Sequence, residues 1–294
     1  MIELAAAFAV AGAASNAVGT AFQRKAAAAS SHGGIRLLAE LVRRPFWVLG
    51  MIGVVGAALF QSLALVNGPL ALVQPLFILE LPFALLVAAP LMHRRLPHWG
   101  WWGVAGCVLG LAMLLVAAAP HGALDQAPLG RWIPALSLCV GAMAGCVLLA
   151  APGRPAARRA ALLAAAAATG NALTAALLKS ASGTFADEGF RAFLRSWQTY
   201  GFALAGVAAV LLLENALQAG PLVAAQPALT IGDAVVSLVL GIALLQEQVR
   251  TGWWLVPEAC GALLIVAGVL VLSRAVQHIT VVPDATAEGE EAAG

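Results

Sequence analysis

Charge is scarce in this sequence. Only 10% of its 294 residues are Asp, Glu, Lys or Arg, while 62% are apolar. A soluble domain carries about 25% charged and about 45–50% apolar residues. A water-soluble globule of this composition would expose enough apolar surface to aggregate. That argues against a soluble enzyme, a nucleic-acid binder and a disordered chain alike. The net charge of +2 adds little, because in a membrane protein the placement of charge matters more than its sum.

Other signals are missing too. The four cysteines, Cys107, Cys139, Cys146 and Cys260, lie in apolar runs and form no CxxC or Cys/His cluster. They read as small packing residues, not as a disulfide framework. The N-terminus lacks the positive n-region of a signal peptide, and the first basic residues, Arg24 and Lys25, follow the first apolar run. A retained first helix with its N-terminus outside is the expectation. HExxH, GxSxG and Walker sequences are absent. The five histidines, His32, His93, His98, His121 and His278, fall in stretches read as loops or tail. The chain is therefore read as no enzyme, with no cofactor and no nucleic-acid partner.

What is present is a series of long apolar runs. A span needs roughly 20 mostly apolar residues. Nine such runs occur, at about 2–22, 46–67, 69–91, 99–119, 132–151, 160–179, 197–217, 220–245 and 253–273. The expected fold is an all-α polytopic plasma-membrane protein with nine transmembrane helices. Asn67-Gly68-Pro69 and Ala219-Gly220-Pro221 should each turn the chain straight back into a helical hairpin. Two loop stretches, 35–42 and 185–197, have apolar residues at helical spacing and read as short interfacial helices. With the N-terminus outside, the cytoplasmic side collects eleven basic residues: Arg24, Lys25, Arg36, Arg43, Arg44, Arg94, Arg95, Arg154, Arg158, Arg159 and Arg274. The outer side collects five, Arg131, Lys179, Arg191, Arg195 and Arg250. Positive charge favours the cytoplasm, so the N-terminus is expected outside and the C-terminus inside.

An internal repeat is the most informative feature. Asn67-Gly68-Pro69-Leu70-Ala71-Leu72-Val73-Gln74-Pro75 recurs as Ala219-Gly220-Pro221-Leu222-Val223-Ala224-Ala225-Gln226-Pro227, an offset of 152. The same offset carries Gly100-Trp101-Trp102 onto Gly252-Trp253-Trp254. A weaker match at offset 155 relates the stretch around Asn16 to the stretch around Asn171. Spans 1–4 then correspond to spans 6–9. Five spans separate equivalent points, an odd number, so the halves should face opposite ways. The organisation expected is a first repeat over 1–119, a connecting span with a basic loop over 120–159, an inverted second repeat over 160–273, and a disordered acidic cytoplasmic tail over 274–294. Inverted repeats are shared by many secondary transporters, whose sites lie near the bilayer midplane between the halves.

Carboxylates inside spans are costly, about 2.5–3.5 kcal/mol at the helix centre. Two lie near mid-span, Glu80 in span 3 and Asp233 in span 8, and each is a candidate to bind a proton or a cation; they are also the only metal candidates. Gln226, Thr230, Asp233 and Ser237 share one face of span 8 at steps of four, three and four. Asn16, Thr20 and Gln23 do the same in span 1, and span 6 offers Asn171 and Thr174. Pro75 and Pro227 should free the carbonyls of Ala71 and Val223 beside Gln74 and Gln226. Gln61 in span 2 is a further candidate. Glu3, Glu247 and Glu258 lie near span ends and read as wetted, and Glu214 as reaching the inner interface. Gly50/Gly53/Gly56, Gly106/Gly110 and Gly141/Gly145 permit close helix approach, either inside one chain or in a homodimer.

The PLxxxQP unit followed by a further apolar stretch, then Leu244-Leu245-Gln246-Glu247 and Gly252-Trp253-Trp254 before a Gly-rich last span, resembles the EamA-like drug/metabolite transporter superfamily. The resemblance covers most of the chain. EamA-type members usually have ten helices. The nine-span, N-out layout and the Arg44-Pro45-Phe46-Trp47-Val48-Leu49-Gly50 opening of span 2 are similar to the NIPA-type magnesium transporter branch. That branch carries a Glu shortly before an Asn in this span, and Ala58 and Gln61 stand at those places here.

The expectation is a secondary transporter of a small solute, working by alternating access and coupled to a cation or proton. Glu80 and Asp233 would take the ion. Gln74, Gln226, Asn16, Asn171, Thr230 and Gln61 would contact the substrate. Two alternatives stay open: a divalent-cation transporter, and a non-transport scaffold or lipid-handling subunit.

Overall fold

The computed structural model describes residues 1–28, 45–91, 97–122, 124 and 126–281. Among the described residues it is all-α, with nine helices long and apolar enough to cross a membrane. In chain order the spanning segments are Ile2–Phe22, Pro45–Asn67, Leu70–Val87, His98–Ala118, Leu129–Leu149, Ala156–Glu188, Trp197–Ala219, Val223–Ala243 and Gly252–Ala275, called spans 1 to 9 below. Large apolar side chains such as Leu109, Leu138, Leu148, Leu204 and Val210 point away from the protein, as lipid-facing residues must. Span 6 is the central helix, 67% buried along its apolar window, and span 5 is the most peripheral, at 11%.

Four differences from the sequence reading follow from local chemistry. Span 6 runs on to Glu188 because Ser180-Ala181-Ser182-Gly183-Thr184 contains no proline to stop it. It stops at Gly189, whose φ of 82° only glycine adopts readily. Lys179, counted above with an outer loop, therefore lies inside this helix. The interfacial stretch 185–197 resolves into the end of span 6, a short helix Phe190–Arg195 and the first residue of span 7. The last helix continues to Val281, so the first part of the stretch read as tail, His278 included, is helical; His98 likewise opens span 4 instead of lying in a loop. Pro75 tightens span 3 into a 3-10 turn over Phe77–Leu79, whereas span 8 passes through Pro227 as one α-helix. The stretch 35–42 lies outside the described residues.

Side-chain register gives the direction of each helix pair. A Cβ on Gly19 would lie 2.8 Å from the Gly50 carbonyl oxygen, and one on Gly12 would lie 3.4 Å from the Cβ of Phe60, so spans 1 and 2 run antiparallel. Span 4 meets span 9 at Gly103 with Leu272, Gly106 with Gly268, and Gly110 with Gly261, so this pair is antiparallel too. Spans 3 and 8 approach at Ala71 with Gly241 and at Gln74 with Asp233, again antiparallel. Spans 4 and 9, and spans 3 and 8, are repeat equivalents. Their opposed directions are those that an inverted repeat of two four-helix halves joined by span 5 requires.

Burial strengthens the weakest part of the repeat. Ala5, Ala9, Ala13, Ala17 and Ala21 form a fully buried ridge along span 1. At offset 155 they fall on Ala160, Ala164, Ala168, Ala172 and Ala176, a fully buried ridge along span 6. A four-residue step keeps all five on one face, and alanine lets a neighbouring backbone come close. Span 1 packs on spans 2 and 3 as span 6 packs on spans 7 and 8.

The span 4–span 9 interface has almost no side-chain padding. A Cβ on Gly268 would sit 2.7 Å from the Cys107 nitrogen and 2.8 Å from the Gly103 oxygen. Both are backbone atoms and cannot yield without moving a helix. Gly268→Val should cost about 1–3 kcal/mol by overpacking, read as a lowered Tm in detergent. Gly141→Val, where a Cβ meets nothing within 4 Å, should leave Tm unchanged. Equal effects from both would contradict this contact.

Candidate functional site: polar contacts between the two halves

Two polar clusters join the inverted halves. The first lies inside the spans. Gln61 in span 2 donates to Gln74 in span 3 (Nε2 to Oε1, 3.1 Å). Gln74 donates in turn to Asp233 in span 8 (Nε2 to Oδ1, 3.3 Å). Ser237, one turn further along span 8, approaches the same oxygen at 3.5 Å. Gln74 and Ser237 are buried, and Asp233 and Gln61 are partly buried. The glutamine of the first PLxxxQP motif thus meets the carboxylate of the other half.

Of the residues singled out in the sequence, Gln61, Gln74 and Asp233 are brought together. Glu80 opens the helical segment after the 3-10 turn and is partly buried. What reaches Asp233 from the first half is Gln74. Asn16, Asn171, Gln226 and Thr230 are partly buried on spans 1, 6 and 8. Among the described residues, the side-chain atoms both buried and unpartnered are Arg131 Nη1, Trp132 Nε1 and Glu258 Oε2. The polar atoms of Asn16, Asn171, Gln226 and Thr230 therefore reach either a hydrogen-bond partner or accessible space. Glu258 has one buried oxygen, and so is less wetted than its place near a span end suggests. Glu3 and Glu214 are exposed, as expected. Among the described residues no three His, Cys, Asp or Glu gather as a metal site.

Sequence reasoning missed the second cluster. Lys179, 1% exposed, donates to the Gly68 carbonyl at 2.7 Å and reaches Glu247 Oε1 at 3.5 Å. Glu247, 3% exposed, accepts from the backbone N–H of Leu70 and, at 2.8 Å, from that of Ala71. Those N–H groups open span 3, where no helical carbonyl is available to them and a negative charge is favoured. Burial pushes the Glu247 carboxyl up, while Lys179 and the two N–H groups pull against that shift. Glu247 was read as wetted; instead Gln246, at φ 56°, turns the chain so that its neighbour points inward. The loop is tied from behind. His121 and Gln248 exchange both backbone bonds, Leu124 donates to Leu245, and Arg250 donates to Ala118. A polar cleft of about 470 Å³, lined by Gln126, Thr184, Glu188, Arg191, Arg195 and Gln198, opens beside the same end of span 6.

No protein-family model matches the chain, and no solved structure matches it. It is 28% identical over 277 residues to an uncharacterized protein of Corynebacterium glutamicum, covering 92% of this chain and 95% of that one.

Proposed function

We propose that this chain is a secondary transporter of a small solute, alternating access between its inverted halves. Asp233 takes the coupling proton or cation. Gln74 and Gln61 orient it, and Gln226, Thr230, Asn16 and Asn171 contact the solute. The reading places the protein in the plasma membrane, N-terminus outside and C-terminus inside, and it accords with the EamA-like resemblance of the duplicated motif. The observation that carries it is the meeting of both halves at Asp233. A carboxylate within a span is expensive and commonly marks an ion or substrate path, and here its hydrogen bond crosses the surface along which two inverted units would rock. A scaffold has no need of that arrangement.

The test is water access. In a background with Cys107, Cys139, Cys146 and Cys260 replaced by Ala, Thr230→Cys should react with a membrane-impermeant maleimide from one face of sealed vesicles. Thr230 lies on the Asp233 face of span 8, so its labelling reports a wet path to the acid. Protection from both faces would reject transport through this site.

A further inference from the structure

The buried Lys179–Glu247 contact lies over the site just described. Glu247 grips the N–H groups of Leu70 and Ala71, and Gln74 is four residues further along the same helix, about 6 Å deeper. The contact is made between the halves. Gly68, Leu70 and Ala71 belong to the first, and Lys179 and Glu247 to the second. Where spans 2 and 3 turn, Pro69 and Leu70 are fully packed, and the strapped loops around His121 and Gln248 hold Glu247 against that turn.

An inverted repeat offers an internal comparison. At offset 155 the equivalent of Lys179 is Arg24, and at offset 152 the equivalent of Glu247 is Arg95. The turn equivalent to Gly68-Pro69 is Gly220-Pro221. In the sequence, one half has a cation and an anion at these aligned positions, and the other has two cations. A cation disfavours a helix N-terminus, where an anion stabilises it. In the sequence, then, the position matching the anion that clasps the start of span 3 carries a basic residue, Arg95.

We infer that Lys179, Glu247 and the Gly68–Ala71 turn form a gate that shuts the face bearing the span 2–3 turn, and that this asymmetry makes the closed-at-that-face state the resting one. The inference rests on the transport reading, since a gate needs a path. Its partners are charged because a charge-assisted contact can be exchanged for water when the halves rock, whereas a sealed apolar seam offers no such exchange.

The experiment is sided labelling of Thr230→Cys in the same cysteine-free background, with Gln248→Cys and Ala151→Cys, each alone, marking the two faces. The wild-type gate should give labelling of position 230 only from the face where Ala151→Cys reacts. Glu247→Gln keeps the shape and removes the charge. It should raise the rate from the Gln248 face at least about tenfold, the factor for roughly 1.4 kcal/mol of gate stability. Lys179→Met/Glu247→Gln leaves no buried charge uncompensated, should give the same opening, and carries the test if the single change impairs folding. Labelling from the Gln248 face in the wild type, or unchanged sidedness in folded variants, overturns the gate while leaving the transport reading intact. Protection from both faces in every protein overturns both.

Discussion

Lys179→Met should be among the most destabilising substitutions in the chain, costing about 3–5 kcal/mol. The change leaves the Glu247 carboxylate almost fully buried, with its two N–H donors but without its cation, and leaves the Gly68 carbonyl without the ammonium that it accepts from. An uncompensated buried charge costs far more than an intact pair gains, because the ion has lost its water. Adding Glu247→Gln should restore much of the loss. The carboxamide oxygen still accepts from the start of span 3, and its nitrogen can donate toward Gly68. The two changes are therefore strongly non-additive, and a double-mutant cycle on detergent unfolding should return a coupling energy above about 1 kcal/mol. Distant, independent sites add to within about 0.5 kcal/mol, so additivity at that level would show that Lys179 and Glu247 do not act as a pair. Stability and gating separate here. The double variant recovers its fold yet keeps the gate loosened.

How much of this was legible beforehand depends on the kind of free energy involved. Span positions follow from apolar transfer, which is a property of composition, and the runs around 46–67 and 197–217 match helices to within a few residues. The inverted repeat was legible in GPLxxxQP because glycine and proline report backbone turns directly. The alanine ridges were not. Alanine-rich sequence aligns with itself in many registers, so the offset of 155 read around Asn16 and Asn171 was weak, and burial singles out that register by pairing Ala5 with Ala160. Lys179 and Glu247 were hidden for a different reason. A charge near a span end ordinarily reaches water by its own length, and nothing local distinguishes one that is covered by a turn more than a hundred residues away in sequence. The contact at Asp233 shows what repeat arithmetic leaves out. Repeat arithmetic set Glu80 opposite Gly232, one residue from Asp233, and suggested a shared pocket. The antiparallel crossing of spans 3 and 8 instead brings the motif glutamine, Gln74, to Asp233. Position along a sequence gives depth in the membrane, whereas the crossing geometry decides which face meets which.

Asp233→Asn separates a working acid from a structural one. If Asp233 served only to hold span 8 against span 3, the amide would weaken the hydrogen bond from Gln74 and stability would fall. On the transport reading the acid is kept despite its cost. Removing a partly buried charge should then leave Tm equal to or above that of the wild type, as is common when a functional polar group is replaced. What should vanish is the response to solute. A ligand held at a hundred times its Kd stabilises the protein that binds it by about 2.7 kcal/mol, a shift easily read in a thermal screen of small cations, amines, amino acids and organic anions against the purified protein. The wild type should respond to at least one class, with a dependence on pH or on the accompanying cation. Asp233→Asn should lose that dependence, and Gln74→Ala should weaken it about tenfold or more by freeing the carboxylate to turn away. Glu247→Gln, outside the site, should keep the response. A variant at Asp233 that is less stable than the wild type and retains the full solute response would move this acid from the transport path to the framework of the bundle.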